Sequence, residues 1–328
     1  MNYRLSVITP VYKAEGYLQQ CCRSLFASDM EGIEFIFVDD CSPDASMEVL
    51  SKAVAEYPSR AADVRILRHE TNRGVAAARN TGLSAASGEY VGFADADDWV
   101  EPDMFSRMYS LAESGNLDFV GCDWHLEFGK SSRVLRQPAC TSSEAALEAM
   151  FCGSMRWYLW AFMIRRSLFA DNGVTFIEGA DIGEDMAALV KCLAFARSYG
   201  HISEPLYHHV KYNVASLTNM AQQTQLDMVR RNVDSVSDFF RSRFGDKYEL
   251  GLDFLKLNVK FPLLVTDDSR CYDLWRETFP EADRSVWMNP RQPLRNKMLQ
   301  SFARHHCDIL LKLYYRVLFK FVYGVLYR

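Results

Sequence analysis

Over the first hundred residues, short apolar runs alternate with stretches in which apolar residues recur every three or four positions. Leu5-Ser6-Val7-Ile8-Thr9 reads as a buried strand stopped by Pro10, and Tyr17, Leu18, Cys21 and Leu25 predict a helix within Ala14 to Phe26. Phe35 to Val38 is a second β-rich run, followed by helical spacing at Met47, Leu50 and Val54. Val64 to Leu67 predicts a third strand, Asn72-Arg73-Gly74 a turn, Val75 to Ala86 an alanine-rich helix, and Glu89 to Ala94 a fourth strand. Strands and helices alternating in units of roughly thirty residues argue for an α/β fold with a doubly wound, mainly parallel sheet, whose ligands sit at the carboxyl ends of strands.

Beyond Asp98 the pattern predicts a helix from about Pro102 to Ser114 and a fifth strand at Leu117 to Cys122. From about Ser142 it turns helical: Ser143 to Phe151 reads as an acid-capped helix, and the aromatic-rich stretch Trp157 to Phe169 has spacing that fits helical core. Further helical patterns cover Gln225 to Phe244, Tyr248 to Val265 and Asn296 to Tyr327.

The polar residues gather where such a sheet would place a ligand. Pro10-Val11-Tyr12, Asp39-Asp40 and Asp95-Ala96-Asp97-Asp98 all follow strand runs. Like charges delivered together cost free energy unless a cation neutralises them or water screens them, and carboxylates suit Mg²⁺ or Mn²⁺. A solvated turn in which Asp98 caps the next helix is the alternative. Neither a Gly-x-Gly-x-x-Gly fingerprint nor a Gly-x-x-x-x-Gly-Lys-Ser/Thr loop occurs, which disfavours dinucleotide and phosphate-loop sites. Carboxylates that can hold a base, a ribose or a metal on a diphosphate point instead to a nucleotide diphosphate. Arg79, polar in an otherwise apolar helix, is a candidate contact for that ligand, since a guanidinium fork suits phosphate oxygens. Glu184 and Asp185 open a further helix, where the macrodipole favours acids whether or not they do chemistry; the functional reading makes one of them a general base.

Taken together, Ser6 to Tyr12, Val38-Asp39-Asp40-Cys41-Ser42-x-Asp44, Asn72-Arg73-Gly74-x-x-x-Ala78-Arg79-Asn80-x-Gly82, and Gly88-Glu89-Tyr90 before Asp95-Ala96-Asp97-Asp98 resemble family 2 glycosyltransferases of the GT-A fold. Four ordered motifs span about a hundred residues. The resemblance implies an inverting, metal-dependent transfer of a sugar from a nucleotide diphosphate, most simply a UDP-sugar, to a glycan hydroxyl. It implies that Pro10, Tyr12 and Asp40 hold the nucleoside and that Arg79, Asp95 and Ala96 also line the donor site. Asp97, with Asp95, would hold Mn²⁺ or Mg²⁺, with His208 as a further candidate ligand. Asp185, next to Glu184, is the expected base, Trp160 an acceptor-side wall, and Tyr212 to Thr218, including Ser216, the segment closing the donor site. Two positions depart from the family pattern: Lys13 replaces the common Asn and Cys41 the usual Gly. Cys tolerates positive φ far less well than Gly, so that turn is expected either to avoid the left-handed region or to differ in its loop. The expected organisation is a GT-A domain over 1–220, with a nucleotide-sugar half at about 1–100 and an acceptor half at about 101–220, then a helical extension over 221–328.

Composition adds less. An apolar share of 49% supports a substantial core, and a net charge of −5 gives no reason to expect nucleic acid. Nine cysteines without Cys-x-x-Cys spacing suit buried thiols in a reducing compartment, and an N-terminus that leads straight into a strand lacks a signal-peptide pattern, so a cytoplasmic protein is expected. The C-terminal end is basic: from Arg291 to Arg328 there are eight Lys or Arg and one Asp. Lys312, Arg316 and Lys320 among Leu, Phe, Tyr and Val predict a basic amphipathic helix lying on the inner face of the cell membrane, where a polyprenyl-diphosphate-linked acceptor would reside; packing on the catalytic domain or in a homodimer is the alternative. Two other function classes fit less well. A sugar-nucleotide nucleotidyltransferase would carry a Gly-rich loop after the first strand, and a non-catalytic membrane-bound assembly partner would not need intact acid motifs.

Overall fold

The computed structural model describes residues 3–211 and 223–317. The chain divides into two compact units, one of residues 1–147 and 157–217, the other of residues 148–156 and 218–328.

The first unit is built on a nine-stranded sheet. Its opening alternates β1 (Leu5–Val11), α1 (Leu18–Phe26), β2 (Ile33–Asp39), α2 (Ser46–Glu56), β3 (Val64–Arg68), α3 (Val75–Ala85) and β4 (Tyr90–Phe93). β1 pairs in parallel with both β2 and β4, and β2 with β3. β1, β2 and β4 are almost wholly buried, as continuous apolar runs covered on both faces must be. Ala76, Ala77, Ala78 and Gly82 make α3 slim enough to lie close to the sheet: a Cβ at Gly82 would meet Ile8 at 2.4 Å.

The chain continues through β5 (Trp99–Val100), α4 (Met104–Gly115), β6 (Phe119–Glu127), β7 (Ser132–Leu135), α5 (Ser143–Phe151), β8 (Phe162–Arg165), α6 (Ser167–Ala170), α7 (Glu184–Leu193) and β9 (Tyr199–Val210). The sheet order is β3-β2-β1-β4-β8-β6-β9-β5, with β7 paired to β6. β8 runs antiparallel to β4 and β6, and β5 antiparallel to β9, so the doubly wound parallel half carries a mixed extension. Two of these strands were not legible as strands. Phe162–Arg165 lies in the aromatic run whose spacing fits a helix, and β9 contains Pro205 and bulges against β6 between Cys122 and Trp124.

The second unit is helical: α8 (Gln223–Phe244), α9 (Glu249–Lys260), α10 (Ser269–Glu277), α11 (Leu294–Arg304) and α12 (Asp308–Tyr314). Its core gathers Leu257, Leu264, Tyr272 and Trp275 with Leu299, Ala303 and Leu311. The helix expected over Asn296 to Tyr327 is therefore corrected. It breaks after Arg304, where His306 takes φ 56°, and both pieces contribute buried residues to the core; residues from 318 onward, Lys320 included, lie outside the described residues. Among the described residues no helix is long and apolar enough to cross a membrane. All nine cysteines are free thiols, six of them buried.

Candidate active site

The sheet brings the carboxyl ends of β1, β2 and β4 together, and the polar motifs follow them. Pro10 sits in β1, and Tyr12 beyond it is exposed with the Lys13 ammonium 5.2 Å from its ring centroid. Both departures from the family pattern fall on left-handed backbone: Lys13 has φ 52° and Cys41 φ 58°. Cys41 thus takes the conformation that favours glycine, at a cost of about 1–2 kcal/mol.

Asp40 is committed to the architecture of this edge. Its Oδ1 accepts from the Arg73 amide at 2.9 Å and lies 2.7 Å from His69 Nδ1, while Oδ2 accepts from the Gly74 amide at 2.8 Å. His69 in turn meets the Thr81 hydroxyl at 2.9 Å, so a buried network fixes the turn that starts α3. Gly74 has φ 90°, and a Cβ there would meet Asp181 Oδ2 at 2.1 Å, so glycine is required on both counts. Asp181 accepts from the Ala76 amide at 2.9 Å, which satisfies one of the open donors at the N-terminus of α3. No local sequence pattern flags His69 or Asp181.

α3 then binds the loop before α7 along its length. Arg73 forms a two-pronged pair with Glu178, and the Asn80 side chain donates to the Phe176 carbonyl and accepts from its amide. Arg79 is buried between the two acid motifs. Its Nη1 donates to Glu184 Oε1 and Asp185 Oδ1, both at 2.6 Å, and Nη2 reaches Asp95 Oδ1 at 3.5 Å. Asp185 Oδ2 also accepts from the Leu159 amide at 3.1 Å. The guanidinium expected to face a donor diphosphate is thus the link between the strand-end acids and the helix-start acids.

Electrostatics follow from that crowding. Burial pushes the Asp95 carboxyl up and the charges of Asp98, Asp97 and Asp185 add to it, against the Arg79 guanidinium, to about 7. Glu184 is pushed up to about 8, by burial first and then by Asp185. Burial works to lower Arg79, yet Asp185, Glu184 and Asp95 hold it above the usual arginine range.

One oxygen each from Asp95, Asp97 and Asp98 lies within 4.8 Å of the others. Not all three fit a metal. Asp98 is buried and accepts from the Tyr207 hydroxyl at 2.9 Å and the Val210 amide at 2.7 Å, with His209 Nδ1 at 3.1 Å, so it anchors β9 under the acid loop. Asp95 and Asp97 are half-buried, and their mutual repulsion is what a hard divalent ion would relieve; two carboxylates with open positions left for phosphate oxygens fit Mg²⁺ or Mn²⁺. Ala96 between them is buried, so its methyl packs.

Two expected site residues are corrected. His208 does not join Asp95 and Asp97: its Nε2 lies 2.9 Å from Glu101 and its Nδ1 2.8 Å from Glu127. Successive residues of a strand point to opposite faces, so in β9 Tyr207 and His209 reach Asp98 while His208 turns away. Trp160 is only 2% exposed, stacked 4.1 Å from Tyr207 and 4.9 Å from Tyr158. It is core support, and the half-buried ring above it is Tyr158. The Tyr212 to Thr218 segment lies outside the described residues.

A mixed, doubly wound sheet with acid motifs at the carboxyl end of β4 and at the start of α7 defines the GT-A type of glycosyltransferase fold. The Glycosyl transferase family 2 profile matches residues 6–172, and the chain belongs to that family. It is 33% identical to the uncharacterized glycosyltransferase EpsJ of Bacillus subtilis over 92% of this chain and 86% of that one. It is 28% identical to glycosyltransferase GlyG of Streptococcus pneumoniae over 87% and 94% of the two chains. Among solved structures, residues 1–349 of S. aureus TarS in complex with UDP-GlcNAc superpose with a TM-score of 0.63, covering 95% of this chain and 91% of that one at 17% identity.

Proposed function

We propose that this glycosyltransferase works with inversion, moving a sugar from a nucleotide diphosphate, most simply a UDP-sugar, to a hydroxyl of a glycan acceptor. The observation that carries the reading is the junction of Asp95 with Asp185 through Arg79, because it brings a cation-holding acid and a proton-accepting acid to one strand-end edge. The UDP-GlcNAc held by TarS, a protein of the same fold, supports the donor class.

In this reading Asp95 and Asp97 would hold a divalent ion, which would supply positive charge against that developing on the leaving diphosphate. Asp185 accepts the proton of the acceptor hydroxyl as that oxygen bonds the anomeric carbon. The bond from carbon to the diphosphate oxygen breaks on the opposite side, which inverts the configuration. Arg79 and the Leu159 amide hold both Asp185 oxygens in place, and Tyr158, adjacent to Leu159, offers its ring as the acceptor-side surface. Donor turnover should stop in EDTA and return with Mn²⁺ or Mg²⁺, and Asp97→Ala should lower it at least about tenfold at saturating metal. Full activity in EDTA or in D97A would remove the metal from the reaction.

The acceptor is a polyprenyl-diphosphate-linked glycan at the inner face of the cell membrane. Support comes from the end of the helical unit, where Ile309 is 81% and Leu313 56% exposed, one turn apart beside Lys312 and Arg316. Each cation near an anionic surface contributes about 1 kcal/mol. Because Leu299, Ala303 and Leu311 are core, the anchor is not a detachable tail, and it is tested by substitution. The full chain should float with anionic liposomes, and Ile309→Glu with Leu313→Glu should leave it in the soluble fraction with donor hydrolysis intact. Flotation unchanged by the double substitution would show that this face does not meet lipid.

A further inference from the structure

We propose that Arg133 and Lys211 bind a negatively charged group of the acceptor, of the phosphate class, beside the Tyr158 ring. The inference rests on the reading of that ring as the acceptor-side surface, and it begins from strand register. Arg133 of β7 stands opposite Leu126 of β6, and Leu126 stands opposite His209 of β9, so the three share one face of the sheet. Trp124 and Tyr207, also paired across β6 and β9, belong to the same face, and both rings pack on Trp160. The Lys211 amide donates to the Glu127 carbonyl at 2.9 Å, so the ladder continues that far, and the period of two brings Lys211 to the face of His209.

Along this face the charge changes sign. Asp185 accepts from the Leu159 amide, and the neighbouring Tyr158 has its ring centroid 5.9 Å from that of His209. Beyond His209, Leu126 is half-buried and Arg133 and Lys211 are exposed. Among the described residues neither cation is in an ion pair, whereas Arg73, Arg79, Arg107 and Arg165 of the same unit are each paired with carboxylates. The charge of Lys211 reaches the site: burial works to lower His209, Asp98 and then Asp95 raise it above the usual histidine range, and the Lys211 ammonium opposes them. A charge on an edge strand discourages pairing with another chain, which would account for Arg133 alone. Lys211 follows β9, which lies between β6 and β5, so its place on the same face as Arg133 has no such cause and points to a ligand.

The spacing says which ligand. Neighbouring strands lie about 4.8 Å apart, so Arg133 stands roughly 10 Å from His209 across the sheet. A group held there belongs to a part of the acceptor away from its reacting hydroxyl. A diphosphate joining the glycan to a lipid and a phosphate on one of its sugars offer the same oxygens to a guanidinium fork and an ammonium. The two substrates are thereby kept apart: the donor's diphosphate would be met through an ion on Asp95 and Asp97, and the acceptor's anion by side chains alone.

Calorimetry on the full chain, with UDP and Mg²⁺ at saturation to fill the donor side, tests this with geranyl diphosphate, glucose 6-phosphate and methyl glucoside. At least one of the two anions should bind more tightly than methyl glucoside, and more weakly as salt rises. The tighter of the two shows whether the acceptor's anion is its lipid linker or a group on the glycan. Arg133→Gln with Lys211→Gln should weaken that binding by about tenfold, and Arg133→Lys should keep most of it. Lys52→Gln, which removes an exposed cation of α2, should leave it unchanged. Anions that bind no more tightly than methyl glucoside, or whose binding is unchanged in the double variant or equally weakened in K52Q, would overturn the site. A chain that hydrolyses no UDP-sugar would instead fault the reading of the enzyme on which the inference rests.

Discussion

Replacing Asp185 by Asn should lower kcat for sugar transfer by about 10²- to 10⁴-fold while donor affinity stays close to that of the unaltered enzyme. The two acids that open α7 are not equivalent. The Asp185 side chain keeps 20% of its surface exposed and Glu184 only 10%, so Asp185 is the one an acceptor hydroxyl can approach. Glu184, pushed up to about 8 by burial and its neighbour, is a poorly placed carboxylate at neutral pH. Asn at 185 can still accept from either Arg79 or the Leu159 amide but not from both, so a modest loss of stability, about 1 kcal/mol, should accompany the loss of rate. The measurement is transfer kinetics alongside nucleotide binding for Asp185→Asn and Glu184→Gln. If D185N stays within tenfold of the unaltered enzyme, or if E184Q is the more damaged, the base is misassigned.

How far the sequence reveals this site depends on the range of the forces that build it. The parallel half of the sheet was legible because each strand is a continuous apolar run and each helix has its own period, both local signals. Asp95, Asp97, Glu184 and Asp185 were legible as acids at element ends. Their union through Arg79 was not, since 105 residues separate Arg79 from Glu184 and only tertiary packing brings them together. β9 was missed for a related reason: Tyr199 to Val210 mixes polar residues, a proline and a bulge, and is held by pairing with β6 and β5. Missing the strand meant misreading its histidines. Once 199–210 is a strand, period two sends Tyr207 and His209 to one face and His208 to the other, and Trp160, beneath Tyr158 and against Tyr207, becomes support for that first face. Cys41 shows the converse, because a residue that tolerates positive φ poorly nevertheless stands at φ 58°, beside an Asp40 whose side chain grips residues 69, 73 and 74.

Arg79→Met should cost about 3–5 kcal/mol of folding stability and abolish transfer even where the protein remains folded. Met fills a comparable volume, so the loss measures charge and not a cavity. Without the guanidinium, Glu184, Asp185 and Asp95 face one another with no counter-charge, and desolvated like charges respond by taking up protons. The sign of the pH dependence follows. Glu184 is already raised from its unfolded range to about 8, so its contribution is fully present below about pH 4.5 and is lost as pH rises through 8. Asp95, raised to about 7, acts in the same direction over a lower window. The metal-free enzyme should therefore lose stability to urea as pH climbs from about 5 to 8. R79M should lose it more steeply, because the removed cation is a charge that holds both carboxyls down. Adding Mn²⁺ should flatten the profile of the unaltered enzyme by supplying a counter-charge at Asp95 and Asp97. Urea titrations across this pH range, with and without Mn²⁺, read all three effects. A stability that rises toward pH 8 in the metal-free enzyme, or an R79M protein as stable and active as the unaltered one, would show that Arg79 does not hold the acids together and that the two acid motifs act independently.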